Sequence, residues 1–162
     1  MPKSIIVYDR ELPEIPGGCT WEKPDCFLGG EAMEGRVPSK YEHYVITDLP
    51  RFVEMPGHHR LAPSWICPDM FPGVNIRING SDASKMVRAP HAELHVHDDN
   101  PEIYLSATEN RGEVVIEVQM EDEVFTVESP FAVFIPPGVQ HRFTVLKCDS
   151  PNFVFGIHVL KD

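Results

Sequence analysis

The sequence predicts an all-β domain with an irregular N-terminal arm, and three observations carry that prediction. Gly and Pro, 11 and 16 of the 162 residues, are scattered along the chain as punctuation, which suits many short elements joined by turns. Apolar and polar residues alternate with period two, as in Val74-Asn75-Ile76-Arg77-Ile78-Asn79, the pattern of a half-buried strand. No stretch sustains the i, i+3, i+4, i+7 spacing of an amphipathic helix. Hydrophobic residues make up 42% and charged residues 24%, ordinary values for a single globular domain of this length.

Residues 1–72 are expected to form an arm that packs on a barrel or on a partner subunit. Pro13, Pro16, Gly17, Gly18, Pro24, Gly29, Gly30, Gly35 and Pro38 leave little room there for a helix. Short strand-like pieces fall at 4–8, 43–47 and 51–54. A second turn-rich stretch runs from Met55-Pro56-Gly57-His58-His59-Arg60 to Gly73. Residues 73–162 are expected to form the core. After the alternating run at 74–79, Gly80-Ser81-Asp82 turns the chain, and 91–97 is extended again. Further strands are predicted at 102–106, 113–118, 124–127, 131–135, 140–146 and 152–160. Glu121-Asp122-Glu123 reads as an exposed hairpin tip.

Charge removes several functional classes. With 14 Lys and Arg against 25 Asp and Glu, the net charge is −11, so the surface repels phosphate backbones and anionic lipid. No basic cluster offsets it, and neither nucleic acid nor membrane is expected as a partner. No apolar run approaches the ~20 residues of a membrane helix, and the first residues meet charge too early for a signal peptide. Cys19, Cys26, Cys67 and Cys148 form no Cys-x-x-Cys pair. Free thiols in a reducing, cytoplasmic setting are the expectation.

The chemistry concentrates in His95-Val96-His97, followed five residues later by Glu102. Residues two apart on a strand share a face, so His95 and His97 project together. The turn Asp98-Asp99-Asn100-Pro101 then lets Glu102 come alongside. Pro136-Pro137-Gly138-Val139-Gln140-His141 is a proline-glycine turn feeding a strand that opens on His141. If that strand borders the first, three imidazoles and a carboxylate meet, a nitrogen/oxygen set suited to a divalent first-row metal.

These two segments resemble the two motifs of the cupin superfamily, His-x-His-x(3–4)-Glu and Pro-x-Gly-x-x-His. The resemblance spans roughly residues 77–158. It implies a jelly-roll, or double-stranded β-helix, barrel with a metal held inside by His95, His97, Glu102 and His141. It also implies a homodimer built through N-terminal strands. The chain departs from the motifs at Ala89 and Pro130, where each usually opens on Gly. Glu109 stands at the usual closing Gly, with Gly112 the nearest, and Val145 replaces an Asn.

Strand parity extends the site. His91 and Glu93 share parity with His95 and His97, which makes His91 either a substrate contact or a strand-mouth residue bonded to water. Tyr104 shares parity with Glu102, as a proton donor or as a barrel-lining aromatic. Phe143 shares parity with His141 and would wall the pocket. On the last strand, the aromatic register turns Phe153, Phe155 and Ile157 inward and leaves His158 outside; the other register reverses this. The aromatic register is the expectation. Arg77 and Arg88 are candidates for a substrate carboxylate, or else surface charges. His58-His59 lacks a spaced third ligand and reads as a solvated loop.

Four protein ligands on a metal that prefers six leave up to two positions for a chelating substrate. With Fe(II), dioxygen beside a small oxygenated organic molecule points to a dioxygenase. With Mn, Ni or Zn, the same geometry suits a lyase or isomerase in which Tyr104 or Glu102 moves a proton. A non-catalytic ligand-binding role is the third reading.

Overall fold

Among the described residues of the computed structural model, ten strands make up nearly all the regular structure. It describes residues 73–160 without a break, and before them Thr20–Glu22, Val45, Arg51–Glu54, Gly57, His58, Ser64–Ile66 and Phe71. The strands expected at 4–8 and 43–47 lie outside the described residues, apart from exposed Val45. Strands β1 (Thr20–Glu22) and β2 (Arg51–Glu54) pair antiparallel.

A five-stranded sheet has the order β3-β4-β10-β5-β8. Its strands are β3 (Ser64–Ile66), β4 (Ile76–Asp82), β5 (Glu102–Ser106), β8 (Phe131–Ile135) and β10 (Phe153–Val159). A three-stranded sheet, β7-β6-β9, contains β6 (Val114–Met120), β7 (Glu123–Glu128) and β9 (His141–Cys148). The tip between β6 and β7 is exposed at Glu121, Asp122 and Glu123, as expected.

Along the other side of β9 runs the segment from Val87 to His95. The Arg88 and His91 N–H groups donate to the Val145 and Phe143 carbonyls, and His95 and His141 exchange both backbone bonds. The extended run expected at 91–97 is thus an irregular edge of this second sheet rather than a regular strand, pairing through isolated bridges. Met86 and Ala83, in and just after a 3₁₀ turn at Ala83–Lys85, plug the space between the sheets.

Alternation decides what lies between the sheets. Val114, Ile116 and Val118 on β6 and Val145 on β9 have no exposed surface, each contributing roughly 1.5–3 kcal/mol by leaving water. A register shift between Val115 and Ile116 moves the partner from Lys147 to Val145. That bulge lets both Val145 and Cys148 face the core. Cys148 is a free, buried thiol, its Sγ–H donating to the Ser150 carbonyl.

In the larger sheet, cross-strand partners define two rows of the inner face. One reads Arg77, His158, Glu102, Ile135, and the next Asn79, Gly156, Tyr104, Val133. The register of β10 is therefore the reverse of the expected one. Val154, Gly156 and His158 are buried, whereas Phe153, Phe155 and Ile157 lie on the outer face, where the Phe153 and Phe155 rings meet at 6.1 Å. The physical reason is space beside Glu102, since a Cβ at position 156 would stand 2.6 Å from its Oε1.

Candidate metal centre

Three local devices bring the first cluster together. The Pro136-Pro137-Gly138 turn places Gly138 at φ 80°, a left-handed conformation that favours Gly. Its N–H donates to the His97 carbonyl at 2.9 Å, tying the second motif to the first. The reciprocal His95–His141 backbone bonds, 3.2 and 2.8 Å, then fix those two residues side by side. The third device is β5, which delivers Glu102 from the opposite sheet. One ligand atom from each of His95, His97, Glu102 and His141 falls within a set 4.8 Å across.

The donor set is prepared for a cation. His95 and His141 each pair Nδ1 with the backbone carbonyl two residues before, Glu93 O and Val139 O, both at 2.8 Å. Nδ1–H is thereby the donor in each ring, which leaves Nε2 as the nitrogen that would ligate a cation. Donors to one ion stand at most ~4.2 Å apart, so a small inward shift closes the set. His141 Nε2 lies 2.8 Å from Glu102 Oε2, and His97 Nε2 lies 3.5 Å from the same oxygen. A proton between His141 and Glu102 occupies the lone pairs a cation would take, and metal binding would release it.

Glu102 is the hub. Burial pushes its carboxyl upward, but hydrogen bonds from His141, His158 and His97 outweigh that and hold it well below its ordinary range. The reverse holds for His141, where burial lowers the ring and the Glu102 bond wins, leaving it raised. His158, 3% exposed, donates Nε2–H to Glu102 Oε1 at 3.2 Å. This is the residue the aromatic register put outside. It grips the carboxylate oxygen that His141 does not use.

The two antiparallel sheets agree with the barrel that the motif resemblance implies. No family model matches the chain, and no curated protein matches it. Among solved structures, it is similar to KdgF from a Halomonas species at 17% identity and TM-score 0.46, covering 68% of this chain and 85% of that one. A cupin protein from Bacteroides fragilis matches at 17% and 0.46, covering 66% and 82%. The cupin domain of Cnp3 from Schizosaccharomyces pombe matches at 11% and 0.46, covering 71% and 79%. Likenesses at this level carry no weight for activity.

The inner face also holds residues outside this cluster. Tyr104, 1% exposed, faces inward as its parity predicts, and its hydroxyl has no hydrogen-bond partner among the described residues. Phe143 is buried on the inner face, its ring 4.9 Å from Tyr104 and stacked on His91 at 4.1 Å and 9°. Arg77 stands across from His158, with a buried Nε that has no partner among the described residues.

Two expected residues are elsewhere. Arg88 is exposed on a turn at φ 65°, and Phe155 is on the outer face because β10 takes the other register. Glu93 is exposed too, its N–H donating to the Gly57 carbonyl at 2.7 Å.

That last bond brings in a residue the sequence reading left in a solvated loop. His58 bridges to Ala92, and its ring lies 5.6 Å from His91 and 5.2 Å from His95. Ligand atoms of His58, His91 and His95 form a second set within 4.8 Å. No local pattern marks His58; only the pairing of 57–58 with 92–93 places it.

Desolvation of His91, His95 and His158 predicts acid lability of the metal-free protein, offset in part by the raised ring of His141. Burial pushes His91 down to about 3 and His95 down to about 4, and lowers His158. Below the ordinary value of 6.5 the unfolded chain takes up protons there that the folded chain refuses. Stability is therefore present above that value and is lost as pH falls towards about 4, at ~1.4 kcal/mol per pH unit for each such proton. Urea midpoints of chelator-treated protein should drop between about pH 7 and about pH 5; a level midpoint contradicts this.

Proposed function

We propose that the chain is a metal-dependent enzyme acting on a small oxygen-bearing organic substrate that chelates the metal. The observation that supports this reading is the convergence of His95, His97, Glu102 and His141 between the two sheets. His95 and His97 are half-exposed while Glu102 and His141 are buried, so the set is anchored from below and reachable from one side. A site that keeps positions open is the catalytic type rather than the closed structural type. Three imidazoles and one carboxylate accept Fe(II), Mn, Ni or Zn. Such an ion supplies Lewis-acid polarisation of a bound oxygen, and, when it is iron, a seat for dioxygen.

The chain's own residues do the rest. His158 holds Glu102 in place, Phe143 walls the pocket, and Arg77 supplies positive charge beside His158 for a substrate anion. Our first assignment is an Fe(II) dioxygenase. A second reading, a lyase or isomerase that runs without oxygen, is favoured by one observation: the uncommitted Tyr104 hydroxyl, a proton donor that oxygen chemistry does not need. An oxygen electrode separates them. The iron form should consume oxygen when presented with a panel of hydroxy-ketones, diketones and catechols. Turnover of the same panel under anaerobic conditions, with Mn, Ni or Zn, would replace the first assignment by the second.

A further inference from the structure

The hydrogen bonding of His91 fixes which of its ring nitrogens carries the proton. The Phe143 carbonyl already accepts from the His91 backbone N–H at 3.1 Å. In extended backbone the N–H and C=O of one residue point to the same side, so the Phe143 N–H also faces His91 rather than β6. It stands 3.2 Å from His91 Nδ1. The Phe143 carbonyl lies at the same 3.2 Å, but it already accepts from the His91 N–H, whereas the Phe143 N–H has no other acceptor on that side among the described residues. A buried backbone N–H without a partner is rare and costly, and Nδ1 is the acceptor in reach. The His91 ring is therefore unprotonated at Nδ1 and carries its hydrogen on Nε2, the edge turned away from the β9 backbone. This is the opposite of His95 and His141, whose Nδ1 atoms each meet a carbonyl at 2.8 Å with no backbone N–H of the described residues against them. Those two are set up to ligate and His91 to donate.

A second donor stands beside it. The Tyr104 ring lies 5.8 Å from that of His91 and 5.9 Å from that of His141, and both His91 and Tyr104 rest on Phe143. The Tyr104 hydroxyl is buried on the inner face with no partner among the described residues, a costly arrangement unless something arrives to use it.

We propose that Tyr104 Oη and His91 Nε2 form a pair of neutral hydrogen-bond donors for the anionic oxygen of a ligand seated on the metal. The ligand class is a small 2-oxo or 2-hydroxy acid, or the enediolate derived from one. This rests on the reading of the centre as an open metal site. Donors held by packing and backbone bonds stabilise developing oxyanion charge without reorganising.

Oxalate is the probe, titrated calorimetrically into cobalt-loaded protein, with cobalt content measured separately. Tyr104→Phe removes only the unpartnered oxygen. The metal-free variant should therefore melt at or above the wild-type temperature, keep its cobalt, and bind oxalate about tenfold or more weakly. Long-range proton–nitrogen NMR should show His91 protonated on Nε2 alone. If Tyr104→Phe binds oxalate as wild type does, or if His91 carries its proton on Nδ1, the donor pair is overturned while the metal reading stands. Uptake of two cobalt equivalents would place a cation on His58, His91 and His95 and likewise overturn the donor role. If wild-type protein takes up no cobalt, both readings fall together.

Discussion

Glu102→Gln is expected to leave the barrel folded and to cost the centre at least ~100-fold in metal affinity. The substitution keeps volume and removes the only anionic ligand. It also spoils the hydrogen bonding, because Glu102 accepts from His141 on one oxygen and from His158 on the other. An amide has one acceptor end and one donor end, so it keeps His158 by accepting and His141 only by donating to Nε2, the lone pair a metal would take. Competitive titration against a metal indicator checks the affinity, and circular dichroism checks the fold. Wild-type affinity in the variant would mean that the four-residue set is not the metal site.

The second large effect comes from a residue that touches no metal. Gly156→Ala would put a Cβ 2.6 Å from Glu102 Oε1 and 2.8 Å from Asn79 Oδ1. Both obstructing atoms are ends of flexible side chains, so the backbone can stay and the side chains must yield. The expected stability loss is modest, roughly 1–3 kcal/mol. The carboxylate, however, must leave the position where His158 holds it, and metal affinity should fall by ~10–100-fold. Metal content and thermal melting of the purified variant separate the two. A variant that melts normally and retains full metal would show that Glu102 has another place to go.

The sequence made the first cluster legible because each of its ligands sits in a short local pattern. His95 and His97 share strand parity, Glu102 follows a turn, and His141 follows Pro136-Pro137-Gly138. Tyr104 and Phe143 followed by the same parity. The register of β10 did not, because the outer face of the larger sheet is apolar as well. Phe155 and Ile157 pair with Leu105 and Ile103 there, so hydrophobicity alone names no inner side. Gly156 was the better signal: a glycine inside a strand marks close approach, and here what approaches is Glu102. His58 was illegible for another reason. Its position depends on Gly57 and His58 meeting Ala92 and Glu93 across some thirty-five residues of chain, and nothing in the local sequence encodes that meeting. The tautomer of His91 likewise depends on which backbone group of β9 it faces, a matter of register between two segments.

Elemental analysis of protein purified without added metal or chelator, beside a His141→Ala variant, tests the metal centre most directly. Near one equivalent of a first-row divalent metal in the wild type, lost in the variant, is the predicted result. Iron would direct work to oxygen consumption, and Mn, Ni or Zn to anaerobic turnover. Wild-type protein that retains no metal and takes up none on reconstitution would contradict the assignment of His95, His97, Glu102 and His141 as ligands.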